Sequence, residues 1–397
     1  MSDRGLQVTL AQTAPIPLSV TLQCGPGELL ALVGPSGSGK STILRAIAGL
    51  IRARAGVIRC NGELWFDANE NVHRTPQDRR VGFVFQHYGL FPHLTALENV
   101  VEAMAATDAA TRRARGRELL AKVHLGGLED RLPRRLSGGQ QQRVAVARAL
   151  AREPDVLLLD EPFSAVDRST RERLYVELAE MRKELAMPAV LVTHDLDEAL
   201  LLADRMCVLS HGATLQSGIP YDVVTRPATP QVAQLVGLKN IFRAGVVSHD
   251  HERGITCIEW RGRRLDARLQ PAYAPGTQVV WTIPPAYLVL HRRDRPSRGE
   301  HENPVQGLVG SFVRLGENAL MSVHVDDAAR PPLFLSIPMH VARRNGIAQG
   351  VAVGVSLLAE GIHLMPGEGA GPLGKRHATA DREDAPARMT HRGETDA

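Results

Sequence analysis

Residues 1–33 alternate apolar and polar positions in short runs broken by turn residues. They end in Glu28-Leu29-Leu30-Ala31-Leu32-Val33, whose continuous apolar stretch predicts a strand buried on both faces. A Gly-rich turn follows, then helical spacing from Ser41 to Leu50. From there to about residue 235, apolar runs such as Val156–Leu159 and Ala189–Val192 alternate with amphipathic segments such as Arg171–Leu185. That alternation predicts an α/β fold, a parallel sheet covered by helices. The stretch from about Leu97 to Ala151 reads as nearly all helical, an insert between sheet strands, and its Arg- and Ala-rich face from Ala110 to Leu120 reads as solvated.

Past Gly237 the period shortens to strands separated by Gly, Pro and Asn. Two blocks are alike, one running from Asn240 to Leu290 and the other from Asn303 to Leu364. Each opens on Asn with a Gly-Val or Gly-Leu-Val step, and each closes with a valine-rich strand and an Ala-centred turn, at Pro285-Ala286 and Leu358-Ala359. They predict a tandem pair of small β-barrel units joined by a charged, exposed link from Arg292 to Glu302. The tail from Gly367 to Ala397 mixes Gly, Pro and charge without apolar period, so it is expected to be disordered. The expected organisation is 1–236, with the helical insert at about 97–151, then the all-β region 237–366, then the tail 367–397.

At 397 residues the chain has room for two or three domains of about 100–200 residues each. Net charge is +4 with no basic block, which argues against a nucleic-acid partner. Cys24, Cys60, Cys207 and Cys257 lie far apart with no Cys-x-x-Cys pair and read as reduced, packed thiols. No run of about 18 apolar residues and no basic-then-apolar leader occurs, so the expected place is the cytosol, with any membrane attachment made through another subunit.

The chemistry concentrates in four places. Gly34-Pro35-Ser36-Gly37-Ser38-Gly39-Lys40-Ser41-Thr42 lies between a predicted strand and a helix, where a phosphate-binding loop belongs. Its backbone N–H groups and the helix N-terminus suit phosphate oxygens, Lys40 reaches the β- and γ-phosphates, and the Ser41 hydroxyl suits Mg²⁺. An ordinary Gly-rich turn would share the letters but not the strand-to-helix context. Asp160-Glu161 closes the apolar strand Val156–Leu159; Asp160 suits the metal and Glu161 a water proton, although such a pair can also cap a helix. Leu136-Ser137-Gly138-Gly139-Gln140 opens another helix and is a second anion-binding device. One nucleotide does not need two such loops from one chain, so the economical arrangement gives this loop to the nucleotide of a second copy. His194, after the strand Ala189–Thr193, either meets a phosphate or simply caps its strand.

The ordered set of the Gly34 loop, Gln86, Leu136-Ser137-Gly138-Gly139-Gln140, Asp160-Glu161, Ser164-Ala165-Val166-Asp167 and Thr193-His194-Asp195 closely resembles the ATP-binding cassette (ABC) family over residues 1 to about 235. The resemblance implies a P-loop NTPase with a helical subdomain, working as a head-to-tail dimer around two ATPs with Mg²⁺. It implies that Ser137, Gly138 and Gly139 of one copy close on the phosphate held by Lys40 of the other. It further implies that Gln86 contacts Mg²⁺ and the lytic water, that His194 bonds the γ-phosphate, and that Asp167 ties the two sites together. Members of the family usually set an aromatic ring against the adenine; residues 1–33 hold no Phe, Tyr or Trp, leaving only Pro15 or Ile16 for apolar contact. Base stacking is worth roughly 1–3 kcal/mol, so weaker base selectivity is expected.

Val81 to Thr95 resembles importer ATPases, which makes Tyr88, Leu90, Phe91 and Leu94 the expected docking surface for a permease helix; ordinary core packing is the competing reading. The all-β region is similar to the transport-associated oligonucleotide-binding-fold (TOBE, Mop-like) domains of importers, and the double unit with the ring-free N-terminus resembles molybdate and sulfate ATPases. The resemblance implies a peripheral subunit on the cytoplasmic face of the inner membrane, with permease subunits, indirectly a solute-binding protein, and a small oxyanion as a regulatory ligand of the barrels. Iron(III), polyamine or sugar import is the alternative. A soluble non-transport cassette ATPase would be expected to carry two cassettes, a coiled-coil arm or a basic surface, and an anion-sensing module alone would not need Glu161 and His194.

Overall fold

The computed structural model describes residues 4–14, 16–105, 108–164, 168–183, 186–291 and 302–367. The expected tail therefore lies outside the described residues beyond Gly367, as does most of the link from Arg292 to Glu302.

The first part of the chain forms strands β1 (Leu6–Gln12), β2 (Leu18–Cys24), β3 (Leu29–Val33), β4 (Gly56–Cys60), β5 (Glu63–Asp67), β6 (Val72–His73), β7 (Val81–Val84), β8 (Val156–Asp160), β9 (Ala189–Thr193), β10 (Arg205–Ser210) and β11 (Ala213–Gly218). They make one sheet in the order β6-β5-β4-β1-β2-β11-β10-β3-β9-β8-β7. β10, β3, β9, β8 and β7 run parallel, and every residue of β3, β8 and β9 is buried, as unbroken apolar runs require of strands covered on both faces. β1 and β2 instead alternate, sending Leu6, Val8, Leu10, Leu18, Val20 and Leu22 into one core and polar residues outward.

The helices are α1 (Lys40–Ile47), α2 (Ala96–Val101), α3 (Ala109–Lys122), α4 (Gly138–Leu150), α5 (Arg168–Lys183), α6 (Leu196–Leu202), α7 (Pro220–Thr225) and α8 (Pro230–Leu235). Helical spacing predicted α1 to run to Leu50, but it stops at Ile47. The reason is Gly49, whose φ of 78° turns the chain so that the N–H groups of Gly49 and Leu50 fold back onto the carbonyls of Ala46 (3.1 Å) and Arg45 (2.9 Å). Arg79, 1% exposed, adds bonds from its guanidinium to the carbonyls of Ala46 (2.8 Å) and Ile47 (2.6 Å). α2, α3 and α4 fill the expected helical insert and pack on one another, and α3 buries only Gly116, Leu119 and Leu120, as a solvated helix should.

The described residues that follow form strands apart from α9 (Met339–Arg344) and short 3-10 turns at Pro285–Tyr287 and Ala359–Gly361: β12 (Ile241–Asp250), β13 (Ile255–Trp260), β14 (Arg263–Arg268), β15 (Gln278–Thr282), β16 (Leu288–Leu290), β17 (Glu302–Leu315), β18 (Asn318–His324), β19 (Leu333–Pro338), β20 (Ala352–Leu358) and β21 (His363–Pro366). They make two five-stranded sheets, β14-β13-β12-β15-β21 and β16-β20-β17-β18-β19, an OB-like, near-barrel architecture. The two blocks seen in the sequence are structural repeats: the bulges between Val246 and Ser248 and between Val309 and Ser311 bend corresponding strands. They are not separate barrels, because each donates its last strand to the other. β16 of the first block pairs with β20, and β21 of the second pairs with β15, so one continuous apolar core spans both.

A further apolar cluster joins the two parts of the chain, with Ala31, Val33, Val223 and Val232 packed together with Val280 and Met365.

Candidate nucleotide site

The loop after β3 owes its shape to two glycines. A Cβ at Gly34 would lie 2.1 Å from the Leu209 carbonyl, and Gly39 sits at φ 93° as the N-cap of α1. Gly39 has no side chain to cap the helix, so the first N–H groups of α1 are left for an external anion. Lys40 is 6% exposed and folds back over the loop, donating from Nζ to the carbonyls of Gly34 (2.8 Å) and Pro35 (3.0 Å). Burial lowers its pKa, while Glu161 and Asp160 nearby oppose the shift. The Ser38 hydroxyl is buried with no partner, a polar atom that needs one.

Ser41 Oγ donates to Asp160 Oδ1 at 2.8 Å, bringing the end of β8 onto the start of α1. Burial raises the Asp160 pKa; the Ser41 hydroxyl, then Arg45, partly offset it. Glu161 has φ 45°, a left-handed conformation uncommon outside glycine, with its N–H bonded to the Val192 carbonyl (3.0 Å). The turn brings the Glu161 carboxylate within 3.3 Å of Gln86 Nε2 and 3.4 Å of His194 Nδ1. Lys40, Ser41, Asp160, Glu161, Gln86 and His194, drawn from four segments, thus converge on one place.

His194 is exposed, and the residue that anchors its turn is Thr193. Thr193 Oγ1 donates to Glu198 Oε2 at 2.5 Å and accepts from the Asp195 N–H at 2.9 Å. Glu198, 4% exposed, also accepts from Tyr175 Oη at 2.9 Å. Nothing in the sequence pattern marked Glu198 beyond its place on an amphipathic helix.

The Ser137 loop is a separate tip. Ser137 is exposed and caps α4, accepting from the Gln140 N–H (3.3 Å), while Gln140 Oε1 accepts from the Ser137 N–H (3.0 Å). Gln140, expected at the nucleotide, closes this capping box here. Asp167 lies outside the described residues, and so does Pro15.

Of the expected docking residues, Tyr88 is 5% exposed and belongs to the core, so for it the packing reading holds. Leu90 packs partly against the same core, Leu94 is half-buried, and Phe91 is 42% exposed. Beside the phosphate loop, a cavity of about 690 Å³ is lined by Gln12, Thr13, Pro17, Leu18, Arg54 and His211 among others, without a Phe, Tyr or Trp. A Cβ on Gly39 would touch Leu18, which fixes how closely this cavity adjoins the loop.

Residues 18–164 match the family model described as ABC transporter. A sulfate/thiosulfate import ATP-binding protein, CysA, from Xanthomonas campestris is 45% identical over 271 residues, 67% of this chain and 75% of that protein. This chain belongs to the ABC transporter ATPase family. A spermidine/putrescine import ATP-binding protein, PotA, from Nitratidesulfovibrio vulgaris is 39% identical over 318 residues, 79% of this chain and 83% of that protein. The structure of cbiO1 from Clostridium perfringens, part of the ABC transporter complex cbiONQ, is 27% identical with a TM-score of 0.50, covering 56% of this chain and 90% of that one. As an importer-type ABC ATPase the chain binds and hydrolyses ATP. Among the described residues no helix is long and apolar enough to cross a membrane. Nor do any three His, Cys, Asp or Glu residues among them form a metal-holding group. Cys24 and Cys60 are pushed up to about 12 and Cys207 to about 11 by burial, consistent with inert packed thiols.

Proposed function

We propose that two copies of this chain pair head to tail around two ATPs at the cytoplasmic face of a membrane, and that hydrolysis drives import of sulfate or thiosulfate through permease subunits fed by a solute-binding protein. The observation that carries the solute is the 45% identity to a sulfate/thiosulfate import ATP-binding protein across 271 residues. Sequence identity is a likeness of the ATPase, and the permease contributes most of the solute choice.

In this reading the N–H groups from Ser36 to Thr42 wrap the phosphates, and Lys40 leaves its carbonyl partners to meet the γ-phosphate. The Ser41 hydroxyl and Asp160, already in contact, are hard oxygen donors that fit Mg²⁺, and Gln86, whose Nε2 faces Glu161, would add its amide oxygen on turning. When bound, that ion neutralises charge developing on the β- and γ-phosphates. Glu161 takes the proton of the attacking water, Gln86 and His194 hold that water and the γ-phosphate in line, and Asp167 steadies the pair. Ser137, Gly138, Gly139 and Gln140 of the second copy close on the same phosphate, so hydrolysis releases the pair.

Phe91 and Leu94 face the permease, while the cavity at Gln12, which holds no Phe, Tyr or Trp, receives the base with reduced selectivity for adenine. A regulatory oxyanion at the all-β region belongs to the same reading. Uptake of labelled sulfate, thiosulfate and molybdate by cells carrying the wild-type chain or Lys40→Ala tests it. Loss of sulfate or thiosulfate uptake with Lys40→Ala is expected; unchanged uptake of both would contradict it. The PotA relative, matched over a longer stretch, supports a second reading in which labelled spermidine is the solute whose uptake falls.

A further inference from the structure

α4 carries Ser137 at its N-terminus and Arg148 in its last turn, so one rigid helix joins the phosphate-facing tip to a cation about 16 Å away at 1.5 Å per residue. Arg148 does not pair with an acid among the described residues. Its Nη1 donates to the Gly89 carbonyl at 2.7 Å and its Nη2 to the Tyr88 carbonyl at 2.8 Å. The same guanidinium lies 5.7 Å from the ring centroid of the exposed Phe91.

Those two carbonyls belong to an unusual turn. Tyr88 and Gly89 have φ of 60° and 57°, and a left-handed conformation is costly for a bulky aromatic residue. Tyr88 gains no compensating side-chain bond, because its buried hydroxyl has no partner. The turn starts two residues after Gln86, whose Nε2 sits 3.3 Å from Glu161. A strained turn persists only where surrounding contacts hold it: the Tyr88 N–H bonds the Phe85 carbonyl (2.9 Å), the Gly89 N–H bonds the His87 carbonyl (2.6 Å), the Tyr88 ring is buried in the core, and the bidentate grip of Arg148 adds the side-chain clamp from α4.

We infer that Arg148 is a positioning residue: by clamping the Tyr88–Gly89 carbonyls it makes the placement of Gln86 beside Glu161 depend on where α4 stands. The tip that closes on the second copy's nucleotide and the glutamine that serves the chain's own nucleotide are thereby linked through one side chain. A displacement of α4 at Ser137 reaches Gln86 through three contiguous contacts, namely the helix itself, the clamp and the turn. The inference deepens the function proposed above and rests on Gln86 and Glu161 acting in hydrolysis.

Steady-state ATP turnover of the purified full chain tests it through Arg148→Ala, Gln86→Ala and the double variant. Arg148→Ala is expected to lower kcat roughly ten- to a hundredfold with KM for Mg-ATP within about twofold of wild type. If Arg148 acts through Gln86, the double variant turns over within about twofold of Gln86→Ala alone, since effects along one chain of action do not multiply. A kcat for Arg148→Ala within about twofold of wild type, or losses that multiply in the double variant, would overturn the inference while leaving Gln86 its role. A Gln86→Ala variant that turns over normally would instead remove the role of Gln86, and the inference with it. Should Arg148→Ala melt too low to assay, Arg148→Lys carries the test. Its ammonium lacks the two-pronged grip, so a kcat loss of about threefold is expected, vanishing in the Gln86→Ala background. A loss that persists in that background overturns the inference.

Discussion

Ser41 and Asp160, 119 residues apart in the chain, meet at 2.8 Å, hydroxyl to carboxylate, where β8 ends and α1 begins. The contact joins the phosphate loop to the acid pair. It holds together two oxygen donors in a place where Asp160 is buried and disfavours its own charge, which a bound cation would relieve.

Ser41→Ala and Asp160→Asn should each lower Mg-dependent ATP turnover by about a hundredfold or more, as loss of a metal ligand does. Asp160→Asn should also stabilise the nucleotide-free protein, because it removes a buried charge without removing volume. Thermal melts with and without Mg-ATP check both statements. A nucleotide-free melt of Asp160→Asn well below wild type would contradict the burial argument.

Glu198 supplies a pH dependence. Burial raises its pKa above the ordinary 4.5, with bonds from Thr193 and Tyr175 opposing. The unfolded chain then ionises first as pH rises, so wild-type stability is present below 4.5 and is progressively lost as pH climbs toward the folded-state pKa. Glu198→Gln lacks that loss. Its melting temperature should exceed the wild-type value at pH 7.5, and the gap should narrow toward pH 5; a gap that widens on acidification would contradict the sign.

The two blocks of the all-β region are tied to each other by matching asparagines. Asn240, fully buried, accepts from the Phe334 N–H (2.7 Å) and donates to the carbonyls of Phe334 (2.9 Å) and Ile283 (3.2 Å). Asn303 repeats this against Asp266 (2.7 and 2.9 Å) and Leu357 (2.8 Å). Each asparagine thus pairs with main chain of the other block. Asn240→Ala or Asn303→Ala should destabilise this region by roughly 2–4 kcal/mol, since three buried main-chain groups lose partners. Denaturant unfolding followed by Trp260 and Trp281 emission measures that loss, with ATP turnover expected to stay within about twofold of wild type.

How far the sequence reached follows from what each residue does. β3, β8 and β9 were legible because strands covered on both faces must be apolar throughout, and the phosphate loop because its glycines and lysine stand between a strand and a helix. The capped tip at Ser137 was legible for the same kind of reason. Strand exchange was not, because a repeat shows that two blocks are alike but not which block receives each last strand. Arg79 and Arg148 were missed because an arginine bound to main-chain carbonyls leaves no pattern of its own. Tyr88 looked like a surface residue in a loop; only the left-handed conformation at Tyr88 itself, which a tyrosine does not announce, sends its ring into the core.

The account depends on one nucleotide being held between two chains. Sedimentation of Glu161→Gln in Mg-ATP, with retained nucleotide counted, addresses this directly. The variant should bind ATP, hydrolyse it at least about a hundredfold more slowly, and sediment at about twice the 43.1 kDa chain mass with close to one ATP trapped per chain. Adding Ser137→Arg, which leaves the phosphate loop untouched, should release the trapped ATP and undo the nucleotide-driven pairing. ATP held equally well with Ser137→Arg, by a species whose mass does not respond to nucleotide, would contradict the account.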